Sequence, residues 1–194
     1  MSDAPAARSP AAGSLAGGSL PGDPSEAELV ERILRVDHAG EYGAVRIYEG
    51  QLAVLGATGA GAVIRRMAAQ EQRHLDAFNR ILPQRKVRPT VLSPVWHVAG
   101  FALGAATALI SEKAALACTD AVETEIDRHY SEQLAELGDD DPELSADIEE
   151  FRAEELEHRD SARAAGATSA IGYPLLTAAI RAGCRVAIGL SKRV

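Results

Sequence analysis

Apolar residues recur along most of this chain at steps of three and four, the period of a helix buried on one face. One series runs Ile64, Met67, Glu71, His74, Phe78 and Ile81, and another runs Leu144, Ile148, Phe151, Glu155, His158 and Ala162. A third runs Leu116, Thr119, Glu123, Ile126, Tyr130, Gln133 and Leu137. Each series carries an acid where the pattern calls for an apolar side chain, and two also carry a His. Helix signals frame them. Ser25 with Glu28 forms a capping box that opens a first helix over about 26–56, ending at Gly56. A second helix is predicted over about 60–82, closed by Pro83, and the proline-rich residues 83–94 form a crossover. A third helix starts near Pro94 or Val95 and continues to Leu137. Asp141-Pro142 caps a fourth, which stops at Gly166, and Pro174 sets off a last helical piece over about 175–191. The pattern predicts an all-α chain: a four-helix bundle built from a duplicated helix pair, plus a C-terminal amphipathic segment.

The duplication is visible residue by residue. Glu41 to Gly56 lies over Glu123 to Gly138 without a gap, matching Glu, Arg, Tyr, Gln, Leu, Ala, Leu and Gly. About thirty residues after each leading Glu comes a Glu-x-x-His, Glu71/His74 and then Glu155/His158, with an Asp at the same offset beyond (Asp76, Asp160).

One Glu-x-x-His means little, since such pairs are common on solvated helix faces. Both pairs here sit on apolar seams, where a carboxylate without a partner costs several kcal/mol or loses its charge. Four carboxylates on one seam level would repel strongly. Two divalent cations balance them and leave two neutral imidazoles as nitrogen donors. Glu41, Glu71, His74, Glu123, Glu155 and His158 are therefore the expected ligands of a two-metal site inside a helix bundle. Glu41 and Glu123 would bind terminally, Glu71 and Glu155 would bridge, and each His would cap one ion. Oxygen and nitrogen donors suit iron or manganese. Asp37 and Asp120, a turn before the lone glutamates, are candidates for orienting the histidines, with ordinary solvated acids the plainer reading. Tyr48 and Tyr130 hold equivalent seam positions. Core packing is the plainer reading for them, and a redox or proton-transfer role the sharper one. His38, His97 and His129 lack paired spacing and are not expected to be ligands.

Composition narrows the picture. The net charge of −8 argues against nucleic acid as a partner. The two cysteines, Cys118 and Cys184, form no disulfide framework and suit a reducing compartment. Residues 1–24 are read as a disordered arm rich in Ala, Gly, Ser and Pro and a poor signal peptide, 25–168 as the bundle, and 169–194 as a membrane-associating segment. No acid occurs over 77–111 or beyond 160, and both stretches are apolar and basic. Val95–Ile110 is short for a bilayer span and is expected to overshoot the bundle, with Trp96 at its edge. In the last helix Leu176, Ile180, Gly183, Ala187 and Leu190 share one face, with Arg181, Arg185 and Lys192 elsewhere. These stretches predict a monotopic protein at an anionic membrane surface, and a hydrophobic oligomer interface competes with that.

Val-Asp-His-Ala-Gly-Glu-Tyr-Gly-Ala (36–44), Arg-Ile-Tyr (46–48), Glu-Gln-Arg-His (71–74), Phe-Arg-Ala-Glu-Glu-Leu-Glu-His-Arg-Asp (151–160) and Ala-Gly-Cys-Arg-Val-Ala-Ile (182–188) resemble the di-iron demethoxyubiquinone hydroxylases of ubiquinone biosynthesis, over about residues 26–194. Glu-x-x-His is shared with all ferritin-like di-iron proteins, whereas the first and last of these blocks are narrower. The resemblance implies a ferritin-like bundle with two Fe ions on the six positions above. It implies dioxygen as co-substrate and hydroxylation of the ring of a polyprenylated demethoxy-quinol (demethoxyubiquinol). NADH or another reductant would supply electrons, although the chain has no glycine-rich dinucleotide fingerprint. It further implies a peripheral place on the cytoplasmic face of the cell membrane. Other ubiquinone-biosynthesis proteins, including a lipid-binding accessory protein, are candidate partners, as is a homo-oligomer. The rival enzyme reading is a rubrerythrin- or manganese-catalase-like peroxide-reducing protein. Iron storage and a membrane scaffold are the non-enzymatic alternatives.

Overall fold

A computed structural model describes residues 24–194 and contains six α-helices: α1 (Glu26–Leu55), α2 (Gly59–Gln84), α3 (Ser93–Ile110), α4 (Glu112–Leu137), α5 (Pro142–Ala164) and α6 (Tyr173–Ser191). A 3-10 turn, Ala167–Ser169, joins α5 to α6. The arm expected over 1–24 lies outside the described residues except for Pro24, which is exposed.

The capping expectations hold. Ser25 accepts from the Glu28 backbone while Glu28 accepts from the Ser25 backbone, and Asp141 accepts from the Leu144 N–H. Pro83 sits inside the last turn of α2 rather than closing it, and Pro174 lies in the first turn of α6. Gly166 takes the left-handed conformation (φ 102°) that ends α5.

The expected long third helix is two helices. At Ser111 the backbone is extended (φ −176°, ψ 163°) and the hydroxyl accepts from the Ala114 N–H, so Ser111 ends α3 and caps α4. With that break α3 does not overshoot the bundle but lies along α1. Glycines set the closeness. A Cβ on Gly104 would come within 1.9 Å of the Ile47 carbonyl oxygen, one on Gly50 within 2.2 Å of the Phe101 carbonyl oxygen, and one on Gly100 within 2.8 Å of the Gly43 carbonyl oxygen. Gly104→Ala is therefore expected to destabilise by about 1–3 kcal/mol, because the clash outweighs the up to ~1 kcal/mol that Ala gains in helix propensity. Gly189, with nothing within 4 Å of an added Cβ, should gain from the same change. Denaturant midpoints of the two variants test the contrast.

Residue pairings give the helix directions. Tyr48 meets Glu123 and Tyr130 meets Glu41, so α1 and α4 run antiparallel. Arg66 meets Ser161 and Arg73 meets Glu154, so α2 and α5 do too. Tyr173 reaches Asp120 and Arg185 reaches Glu125, so α6 runs alongside α4 as α3 runs alongside α1. The duplication thus covers three helices per half. Three layers result: α2 with α5, α1 with α4, and the apolar pair α3 and α6 on the far side. The bundle of α1, α2, α4 and α5 is the all-α ferritin-like architecture that the seams predict. Its core packs Leu34, Phe78, Tyr130, Leu137, Leu144 and Ile148 on one side of the buried acids and Tyr48, Ile64 and Met67 on the other.

Candidate metal centre

The seam register carries Glu41 on α1, Glu71 and His74 on α2, Glu123 on α4, and Glu155 and His158 on α5 into the bundle interior, each at most 1 % exposed. Their donor atoms form two overlapping groups. Glu41, Glu71, His74 and Glu155 make one, and Glu71, Glu123, Glu155 and His158 the other, with the atoms of each group within 4.8 Å of one another. Glu71 and Glu155 belong to both groups, the relation expected of two ions joined by two carboxylates.

The electrostatics point the same way. Among the described residues, Glu71 Oε2 and Glu123 Oε2 are buried without a hydrogen-bond partner, and Glu41 Oε2, Glu71 Oε1 and Glu155 Oε1 face only an imidazole Nδ1, at 3.0 to 3.4 Å. Leaving such groups unsatisfied costs roughly 1–3 kcal/mol each, more when charged. Without cations, burial and then mutual repulsion hold the carboxyls of Glu71 and Glu123 well above the usual range, and burial raises that of Glu155. Burial pulls His74 down, but Glu155 and Glu41 outweigh it and push the imidazole up to about 11. Burial holds His158 below its ordinary value. Converging, unpaired, charge-frustrated donors of this kind fit a pair of divalent cations.

Metal removal accordingly has a signed pH effect. The raised carboxyls make the folded metal-free chain bind more protons than the unfolded chain above the ordinary value of 4.5, so stability falls as pH rises. His74 contributes stability that is full below 6.5 and lost towards about 11, the same direction. His158, and His129 at about 4, work oppositely but only below their ordinary 6.5. Between about pH 6.5 and about pH 9 the thermal midpoint of the metal-free chain should fall while that of the metal-loaded chain holds, widening the gap. A constant gap would contradict this account.

A pseudo-two-fold relation organises the surroundings. Tyr48 donates to Glu123 Oε1 at 2.8 Å, and its counterpart Tyr130 donates to Glu41 Oε1. Burial, and then the charge of the glutamate each one faces, raises both phenols well above their usual range. They stay protonated and fix one oxygen of each lone glutamate, leaving the other free. Gln51 donates to Thr119 at 3.4 Å, and Gln133 donates to Asp37 at 2.6 Å, where Thr119 and Asp37 each stand four residues before a lone glutamate.

Asp37 and Asp120 do not orient the histidines. Asp37 is occupied by Gln133, and Asp120 by Arg163 at 2.8 Å and by Tyr173. The histidine partners come instead from the facing helix. His74 Nε2 lies 2.8 Å from Glu154 Oε2, and His158 Nε2 lies 3.1 Å from Gln70 Oε1. Gln70 and Glu154 immediately precede the shared glutamates. Sequence reasoning missed them because a residue beside a seam reads as solvated, yet antiparallel α2 and α5 turn each towards the opposite His. His38 bonds Asn79, His97 bonds Tyr42, and His129 meets Gln133, so none joins the cluster. Asp76 and Asp160 mark the repeat but are exposed.

A model of the family described as "Ubiquinone biosynthesis protein COQ7" matches residues 28–191. The chain belongs to this family. Among its relatives in the family, a 3-demethoxyubiquinol 3-hydroxylase of Rhodospirillum rubrum is 58% identical over 174 residues, covering 89% of this chain and 82% of the relative. The human protein named NADPH-dependent 3-demethoxyubiquinone 3-hydroxylase, mitochondrial, is 53% identical over 169 residues, covering 85% and 78%. The Saccharomyces cerevisiae 5-demethoxyubiquinone hydroxylase, mitochondrial, is 39% identical over 187 residues, covering 88% and 80%. The chain is therefore a hydroxylase of the COQ7 family, and the peroxide-reducing alternative gives way to it.

Proposed function

We propose that this chain hydroxylates the ring of a polyprenylated demethoxyubiquinol with dioxygen, using two irons held by Glu41, Glu71, His74, Glu123, Glu155 and His158. The observation that carries this reading is the sharing of Glu71 and Glu155 between two buried donor groups. An iron pair held there supplies the redox chemistry that couples dioxygen to the substrate ring. The protein's own residues supply the rest. Tyr48 and Tyr130 hold the lone glutamates in place through their hydroxyl protons. Phe151, packed 4.5 Å from the His74 ring, and Met67 help keep water from the centre. NADH or another reductant, such as the NADPH in the mitochondrial relatives' names, supplies the electrons.

A route for a lipid quinol lies on the opposite side from α2 and α5. A cavity of about 580 Å³ between α1, α3, α4 and α6 is walled mainly by apolar side chains, with the buried Glu125 the one acid among them. Gly40 and Val122, each next in sequence to a site glutamate, line it. Apart from Val54, the exposed large apolar side chains among the described residues lie on or beside α3 and α6, with Ile171 98% and Leu175 79% exposed. Such a surface favours lipid over water, so the chain sits peripherally on a membrane with α3 and α6 facing it. The free thiols suit the cytoplasmic face. Although α3 is long and apolar enough to cross a bilayer, its glycine seam against α1 favours lying on the surface. Arg185 pairs with Glu125 at 2.8 Å, which leaves Arg181, Arg88 and Arg193 to meet anionic headgroups.

The test is turnover of a short-chain demethoxyubiquinol by iron-loaded protein under isotopically labelled dioxygen. The reading expects one labelled oxygen in the ring product. Unlabelled product, or peroxide consumption alone, would refute it.

A further inference from the structure

We propose that Gln70 and Glu154 are positioning residues that make the two metal positions unequal: the His74 position holds its ion tightly, and the His158 position exchanges its ion through a recess between α2 and α5. The inference rests on the two-metal reading above and extends it to how the site is filled and emptied.

Both imidazoles present Nδ1 to the carboxylates. His74 Nδ1 lies 3.0 Å from Glu155 Oε1 and 3.4 Å from Glu41 Oε2. His158 Nδ1 lies 3.0 Å from Glu71 Oε1 and 3.1 Å from Glu155 Oε2. With Nδ1 as the donor to an ion, Nε2 must carry the proton, and its acceptor sets how much electron density the ring can give. Here the pseudo-symmetry breaks. Behind His74 the acceptor is the Glu154 carboxylate at 2.8 Å, itself held by Arg73 Nη2 at 3.1 Å from each oxygen. Behind His158 it is the neutral amide oxygen of Gln70 at 3.1 Å. A charged acceptor makes the stronger hydrogen bond and the stronger metal donor. The amide gives the same ring orientation with less push.

Access is unequal in the same sense. A recess of about 360 Å³ is lined by Arg66, Gln70, Arg73, Glu157, His158 and Ser161 among others, and His74 is not part of its wall. Although each imidazole is only 1 % exposed, the recess wall includes the weaker donor and its amide partner, while His74 is packed against Phe151. Weaker donation and easier access act together on one ion.

The test loads metal-free protein anaerobically with Fe(II), counts the ions bound, and then follows their release to an excess of a strong chelator. Wild type should bind two ions and release one about 10–100-fold faster than the other. Glu154→Gln should speed the slow phase towards the fast one. Gln70→Glu should slow the fast phase, a gain that a folding defect cannot produce. Two ions leaving wild type at one rate, or a fast phase unmoved by Gln70→Glu, would overturn the inference while leaving the two-metal reading intact. Fewer than two ions bound by wild type would overturn both.

Discussion

Glu155→Ala should reduce ring hydroxylation by more than the about 10–100-fold expected of a residue that acts only behind a ligand. Glu155 belongs to both donor groups, and its two oxygens face the two imidazoles, Oε1 at 3.0 Å from His74 Nδ1 and Oε2 at 3.1 Å from His158 Nδ1. Removing it takes a negative charge from each metal position at once. It also leaves His74 Nδ1 with only Glu41, at 3.4 Å, from the pair of carboxylates that face it. Metal content should fall with activity, and cells relying on the variant should accumulate the demethoxy quinol. The fold should persist. In the metal-free chain the change relieves repulsion on Glu71 and Glu123 but takes away the first of the carboxylates that hold the His74 proton, so the metal-free variant should keep its helix content but unfold at a lower temperature than metal-free wild type. Full activity in the variant would mean that the buried cluster is not the reactive centre.

The second large effect concerns the exposed apolar layer of α3 and α6. Ile171→Asp combined with Leu109→Asp should weaken binding to anionic vesicles by more than about a hundredfold, since two apolar side chains of this size contribute roughly 3 kcal/mol or more when inserted. Both residues are exposed, so helix content and metal binding should be unchanged. Vesicle co-sedimentation measures the loss. Unaltered vesicle binding, with a change in oligomeric state instead, would mean that α3 and α6 meet another copy of the chain.

The centre was legible in sequence because burial and chemistry disagree at those positions. A Glu in an apolar series at steps of three and four is conspicuous, and its repetition in a second half made chance an unlikely source. The seam series fall on buried or half-buried positions throughout, including Leu116, Thr119 and Gln133. What escaped was set by contacts between helices. Ser111 caps α4 through its own hydroxyl, but the apolar residues on both sides kept helical period across it. The close approach of α3 to α1 was written in Gly100 and Gly104, four residues apart, and in Gly50. Glycines inside a helix read as weak points until the facing backbone is known. Glu154 and Gln70 lie beside the seam, and only the antiparallel pairing of α2 with α5 turns them towards His74 and His158. Asp37 and Asp120 failed as histidine partners for the converse reason: both lie on the same helix as a lone glutamate, where Gln133 and Arg163 claim them.

The most direct test of the central claim is an anaerobic Fe(II) titration of metal-free protein, read by metal analysis after gel filtration. The account predicts two irons per chain in wild type and fewer than two after Glu71→Ala. One iron or none in wild type, or two retained by Glu71→Ala, would contradict it.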